Sequence, residues 1–159
     1  MKVGRITLSD RASAGIYEDL SGPEIERITR EVIDQSAEFV ARLLPDDRPL
    51  IEKTLIELAD REHCELIITT GGTGPSPRDV TPEATRAVLE KELPGFGEAM
   101  RAASFADVPT AILSRATAGI RGACLILNLP GNPRAILECM RPLRPAIIEC
   151  LNHLRKVTT

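Results

Sequence analysis

The sequence predicts an α/β fold, a three-layer sandwich in which a mainly parallel sheet is flanked by helices. Three observations carry that reading. Short aliphatic runs alternate with helical patterns from one end of the chain to the other, the order that successive βα units leave in a sequence. The runs are continuous rather than alternating, as expected of strands covered on both faces. Polar or glycine-rich segments follow most of them, and in open α/β sheets ligands bind outside the carboxyl ends of the strands. With 159 residues and no internal repeat or linker, residues 1–159 are expected to form one domain. A chain of this size buries roughly 70% of its unfolded surface, enough to fold without a disulfide or a structural metal.

Strands are expected near Val3 to Leu8, Glu38 to Leu44, Glu65 to Thr70, Thr110 to Leu113 and Ala123 to Asn128. Between them, Ile25, Ile28, Val32 and Ile33 recur at helical spacing behind Ser21 and Glu24, whose separation is that of a capping box. This predicts a helix from Ser21 to Asp34. Ile51, Leu55, Leu58 and Ala59 mark a second helix, with Pro49 tolerated in its first turn. Thr81-Pro82-Glu83 supplies a capping hydroxyl, a proline and an acid in the order of a helix start, and the helix should reach about Glu92. A fourth helix is expected over Gly97 to Phe105. At the C-terminal end, Ile136, Met140, Leu143, Ile147, Leu151 and Leu154 form one apolar face. Pro142 and Pro145 interrupt it and predict a break near Arg141, since an internal proline removes a backbone bond and crowds the preceding turn.

Composition excludes several classes of function. Twenty Lys or Arg against 23 Asp or Glu give a net charge of −3, without the basic excess that binding to a phosphate backbone leaves. Only Tyr17, Phe39, Phe96 and Phe105 are aromatic, too few for a base-stacking platform. No nucleic-acid partner is expected. No apolar run approaches 18 residues and the N-terminus lacks the pattern of a secretory signal. The expectation is therefore a cytoplasmic protein with no membrane partner. Cys64, Cys124, Cys139 and Cys150 form no CxxC pair and sit among apolar neighbours, which reads as buried free thiols. His63 beside Cys64 does not make a metal site, because adjacent residues on one element rarely face one ion.

The chemistry is expected in the loops after the strands. Gly71-Gly72-Thr73-Gly74 leads through Pro75-Ser76-Pro77-Arg78-Asp79-Val80 to the helix at Thr81. Three glycines in four positions allow a sharp turn that presents N–H groups to an anion. The segment is not a P-loop, which needs Lys followed by Ser or Thr, nor a dinucleotide fingerprint, since Pro77 stands where a third glycine belongs. Asp10, Asp46 and Asp79 fall at strand ends on the same edge, and two of them could hold a magnesium–nucleotide complex. Each also has a conformational explanation as a turn or cap residue. Asn128 ends an apolar strand, where a buried amide must find partners that a heterocyclic ligand could supply. Asn132 is a plausible cap before Pro133.

Several of these segments together resemble one family. Thr70 to Gly74, Pro77 to Ala84, Ser9 to Gly15, Pro45-Asp46, Leu113-Ser114-Arg115 with Ala118 to Gly122, and Asn128 to Pro133 resemble, in order, the molybdopterin adenylyltransferases, a family that includes bacterial MogA and MoaB proteins and the gephyrin G domain. The resemblance spans residues 3 to 155. It implies transfer of AMP from ATP, with Mg²⁺, to the terminal phosphate of molybdopterin, usually by a homotrimer that supplies a downstream molybdenum-insertion enzyme. It also implies that Asp46 and Asp79 are catalytic and handle the metal. Gly71, Gly72, Thr73, Gly74, Asp10, Ser13 and Gly131 would contact nucleotide and phosphate, and Ser104, Ser114 and Asn128 the molybdopterin. A MoaB-type pterin-binding scaffold is the alternative within the same resemblance, and the presence of both acids favours the enzyme.

Overall fold

The computed structural model describes residues 1–157. In chain order its elements are strand β1 (Lys2–Leu8), helix α1 (Asp10–Ser13), α2 (Ser21–Val32), β2 (Glu38–Leu44), α3 (Arg48–Ile56), β3 (Leu66–Thr70), α4 (Thr81–Val88), β4 (Lys91–Glu92), α5 (Gly95–Phe105), β5 (Ala118–Arg121), β6 (Cys124–Leu129) and α6 (Pro133–Val157). Among the described residues the strands form one six-stranded sheet in the order β2-β1-β3-β6-β5-β4. β2, β1, β3 and β6 are parallel neighbours, and β5 and β4 extend the sheet antiparallel. The expected layers are present, with a mixed edge added.

Every residue of β3 and β6 is buried, which is why their sequences read as unbroken apolar runs. The two-residue period of a strand sends successive side chains to opposite faces. Leu66, Ile68, Leu125 and Leu127 thus pack with Ile25, Ile28, Ile136 and Met140 from α2 and α6. Ile67 and Ile126 pack with Ile51, Leu55, Leu58 and Val88 on the other face, under α3 and α4. This double layer fixes register, because a one-residue slip would exchange the two faces.

The differences from expectation have physical causes. Thr110 to Leu113 is not a strand; Pro109–Leu113 forms a 3₁₀ turn, and Ile112 and Leu113 are 60% and 52% exposed. The strand in this region is β5, which pairs with β6 across a short turn at Gly122, where φ is 54°. Its Ala-Gly-Ile-Arg sequence is too weakly apolar to stand out. Helix α4 stops at Val88, not Glu92, because the next residues join the sheet: the Glu90 N–H donates to Ile120 O at 2.8 Å and the Leu93 N–H to Ala118 O at 2.7 Å. The second helix passes through one π turn, Glu57–Arg61, before the chain reaches His63 with φ 53°.

Helix α6 runs unbroken through Pro142 and Pro145. Both prolines are exposed, while Ile136, Met140, Leu143, Ile147 and Leu151 hold the buried stripe against the sheet. Carbonyls that lose their helical donors at an exposed proline can bond water, so packing outweighs the proline penalty. The capping box also differs. Ser21 Oγ donates to Gly131 O at 3.1 Å, and Asp19 Oδ1 accepts from the Gly22 N–H at 2.9 Å in its place.

Candidate active site

Four parallel strands bring the loops after β1, β2, β3 and β6 to one edge. From β1 the chain goes outward to β2, then returns to the other side of β1 as β3, so the strand order reverses between β1 and β3. This is where an open α/β sheet leaves a crevice. A cleft of ≈ 330 Å³ lies there, with Leu8, Tyr17, Asp46, Gly71 and Gly131 in its wall.

Glycine at 71 is required by approach as well as by turn. Its φ is 97°, and a Cβ would stand 2.2 Å from the Leu8 carbonyl oxygen. Gly71 therefore lets the end of β3 pass against β1, while its N–H donates to Leu129 O at 3.3 Å and its carbonyl accepts from Thr81 Oγ1 at 2.9 Å. The Gly71 N–H is thus engaged by the protein itself. The amides of Gly72, Thr73 and Gly74 donate to no acceptor among the described residues, so they are the ones left for an anion. Gly72, with φ 63°, lies against Asp46: its Cβ would meet Asp46 Oδ1 at 2.8 Å. A Cβ on Gly74 would meet Asp79 Oδ2 at the same distance.

The acids divide by environment. Asp47, not Asp46, caps α3, accepting from the Leu50 N–H at 2.9 Å. Asp46 is thereby free of a capping role. Asp46 and Asp10 exchange bonds: the Asp10 N–H donates to Asp46 Oδ2 at 3.2 Å and the Asp46 N–H to Asp10 Oδ1 at 3.0 Å. Arg78 grips Asp10 with two bonds, at 2.9 and 2.8 Å. These bonds hold the Asp10 carboxyl below the usual range, whereas burial, aided by the charges of Asp10 and Asp79, pushes the Asp46 carboxyl above it. Asp46 Oδ1 is buried with no hydrogen-bond partner. Asp79 closes its own turn, accepting the Ser76 N–H at 2.9 Å.

A second cleft, ≈ 350 Å³, opens on the other side of the Pro130 to Pro133 loop, between α5, the 3₁₀ turn and the start of α6. Ser104 and Ser114 line it, with Arg101, Arg134 and Glu138, and its wall has no aromatic ring.

A family model described as a probable molybdopterin binding domain matches residues 4–149. The chain belongs to this family. It is 53% identical over 150 residues to the molybdopterin adenylyltransferase of Helicobacter pylori, an alignment covering 94% of this chain and 85% of that protein. It is 49% identical over 146 residues to the molybdopterin adenylyltransferase of Escherichia coli, covering 92% and 75%. Among solved structures, the molybdopterin biosynthesis enzyme MoaB from Thermus thermophilus superposes with a TM-score of 0.87 at 42% identity, covering 96% of this chain and 95% of that one.

Within this molybdopterin-binding domain, the sequence-derived candidates fall into three groups. Asp46, Gly71 and Gly131 wall the first cleft, and Gly72, Gly74 and Asp79 adjoin the first of these or one another. Thr73 is buried beside them, and Asp10 ties to both Asp46 and Arg78. Ser104 and Ser114 line the second cleft. Two residues stand apart. Ser13 is exposed at the end of α1, its hydroxyl donating to Asp10 O at 3.1 Å. Asn128 is fully buried, on the α4 face of β6, where its amide donates to Thr69 Oγ1 at 3.0 Å and Thr85 Oγ1 at 2.9 Å. The partners expected of a ligand are thus threonines from β3 and α4, and the structure does not bring Asn128 into the cleft of Ser104 and Ser114. Its Oδ1 has no partner.

Sequence reasoning missed Tyr17, whose hydroxyl pairs with Ser9 Oγ at 2.8 Å in the first cleft. Nothing local marks it, apart from being the chain's only tyrosine.

Proposed function

We propose that the protein transfers AMP from Mg-ATP to the terminal phosphate of molybdopterin and releases pyrophosphate, acting as a molybdopterin adenylyltransferase in molybdenum cofactor biosynthesis. The observation that carries this reading is the Asp46 carboxylate: partly buried, its Oδ1 buried without a partner, near the acids of two other loops and the unpaired amides of the glycine turn. The names of relatives about half identical to the chain support it.

In the balanced reaction an oxygen of the molybdopterin phosphate bonds to the α-phosphorus of ATP, the bond from that phosphorus to the α–β bridging oxygen breaks, and pyrophosphate leaves with the electron pair. Both reacting groups are anions, so the site needs preorganised positive potential more than a strong base. The Gly72 to Gly74 amides offer it as backbone donors. The side chains also suit Mg²⁺, which takes one or two carboxylates with substrate phosphates: Asp46 has an idle buried oxygen, and Asp79 is the second acid near it. When bound, the metal neutralises phosphate charge as it builds during transfer. The first cleft, walled by the glycine and Gly131 loops, would take the nucleotide, and the second the pterin, through polar contacts from Ser104 and Ser114 in the absence of an aromatic stack.

ATP and Mg²⁺ as reactants, a downstream molybdenum-insertion enzyme as recipient, and a cytoplasmic location belong to the same proposal. No helix among the described residues is long and apolar enough to cross a membrane. A homotrimer is supported by Phe105, Val108, Ile112 and Leu113, which leave 48 to 60% of their surface exposed, an arrangement that favours association. Molybdopterin-dependent release of pyrophosphate from Mg-ATP tests the activity, and its absence with intact substrate would reject it. Sedimentation tests the trimer, which a concentration-independent monomer would exclude.

A further inference from the structure

Arg115 is named by no part of the proposed chemistry, yet its side chain bonds to both ends of the Asp79 loop. It follows the 3₁₀ turn that walls the second cleft. Its backbone N–H donates to Thr73 O at 2.8 Å. Its side chain then spans the base of the loop: Nε donates to Gly74 O at 2.9 Å and Nη2 to Asp79 O at 2.7 Å. The guanidinium also pairs with the Glu83 carboxylate in the first turn of α4. Residues 75 to 78, between the two gripped carbonyls, are exposed. Pro75 and Pro77 have no N–H to donate, so the loop has few bonds of its own. Inside it, the Ser76 N–H donates to Asp79 Oδ2 and the Asp79 N–H to Ser76 O, both at 2.9 Å. The other tie to the body of the protein, Arg78 to Asp10, is exposed.

The geometry points to Arg115 as the positioning residue for Asp79: its guanidinium clamps the Gly74 to Asp79 loop shut and joins it to the segment that lines the Ser104–Ser114 cleft. This rests on the reading of Asp79 as a metal-handling acid. The residue must be arginine, because a planar fork can serve two carbonyls and a carboxylate in fixed directions at once, whereas a lysine ammonium is a single point. The clamp places the metal-side acid and the wall of the pterin-side cleft on one rigid unit, so a displaced loop costs alignment before it costs binding.

Arg115→Lys is compared with the native protein by amide hydrogen exchange without ligands and by the magnesium dependence of pyrophosphate release. The Ser76 and Asp79 amides should exchange about ten-fold faster in Arg115→Lys while Ile67 and Ile126 keep their protection, since local opening leaves the core intact. The half-saturating Mg²⁺ concentration should rise several-fold and kcat fall about 10²-fold, with the KM for molybdopterin nearly unchanged, the pattern of misplacement rather than lost binding. Glu83→Gln, which keeps both carbonyl bonds, should move each quantity in the same direction by less. It carries the test if Arg115→Lys fails to fold. Arg48→Lys, an exposed pair with Glu52 on α3, should leave all of them unchanged. Native-like exchange at Ser76 and Asp79 in Arg115→Lys, or a fall in kcat with neither exchange nor magnesium dependence altered, would overturn the proposal. If the native protein releases no pyrophosphate, the functional reading fails separately, and the exchange comparison still decides whether Arg115 shapes the loop.

Discussion

Replacing Asp46 by Asn should make the protein more stable and much less active. The isosteric amide keeps an oxygen to accept the Asp10 N–H, and it removes a charge that burial disfavours and that Asp10 and Asp79 repel. Relief of an unfavourable buried charge is worth about 1.4 kcal/mol for each pKa unit by which burial shifts it. Because Asp46 is only partly buried, the gain should be about 1 kcal/mol, or a rise in Tm of about 2–4 °C for a chain of this size. The gain must depend on pH in one direction. Burial raises the folded pKa of Asp46 above its usual 3.8. The native protein therefore holds the Asp46 proton more tightly than the unfolded chain, and that contribution to stability is complete below pH 3.8 and lost as pH rises through the folded value. The Tm advantage of Asp46→Asn should be full near pH 7 and shrink as the pH approaches 4. Turnover should fall about 10²–10³-fold at pH 7, several kcal/mol of lost charge stabilisation at about 1.4 kcal/mol per decade. Scanning calorimetry across pH, with pyrophosphate release measured on the same samples, provides both readings. A lower Tm at pH 7, or undiminished turnover, would refute the reasoning.

Asp79→Asn should likewise lower pyrophosphate release by orders of magnitude, and an unchanged rate would remove Asp79 from the mechanism. Gly71→Ala should cost about 3 kcal/mol or more, read as a Tm lower by at least about 6 °C, because a positive φ is compounded by a 2.2 Å approach to backbone. Gly15→Ala, at φ 74° with open space around it, should cost only about 1 kcal/mol; equal effects would show that the approach to Leu8 is unimportant. Burial pushes the Cys64 and Cys139 thiols up to about 11 and raises Cys124 as well. A disulfide-exchange reagent should therefore label half-buried Cys150 first in the native protein and all four in denaturant, and fast native labelling of Cys124 would contradict the assigned core.

What the sequence disclosed and what it hid follow from the range of the interactions involved. β1, β3 and β6 were legible because strands buried on both faces leave continuous apolar runs, and the direction they share with β2 puts Asp10, Asp46, Asp79 and the glycine turn on one edge. β4 and β5 were hidden because two exposed residues and an Ala-Gly-Ile-Arg segment owe their strand form to pairing with β6 and with each other. The unbroken α6 was hidden because local proline chemistry argues for a break, and only the sheet beneath Ile136 to Leu151 reverses it. At the site, Asp46 could not be separated from Asp47 as a capping residue until Asp47 was seen to accept from Leu50. Asn128 was correctly marked as an amide in need of partners, but those partners come from residues 43 and 59 positions away. Arg115 works through carbonyls 36 and 41 positions distant, a role that no local motif encodes.

The central claim is that the paired acids and the glycine turn serve phosphoryl chemistry between a nucleotide and a pterin. Mass analysis of the pterin after incubation of the purified protein with Mg-ATP and molybdopterin tests it most directly. A product heavier by one adenylyl group is expected, formed in step with pyrophosphate and lost in Asp79→Asn. Molybdopterin recovered unmodified, while still binding to the native protein, would contradict it and leave a pterin-binding scaffold.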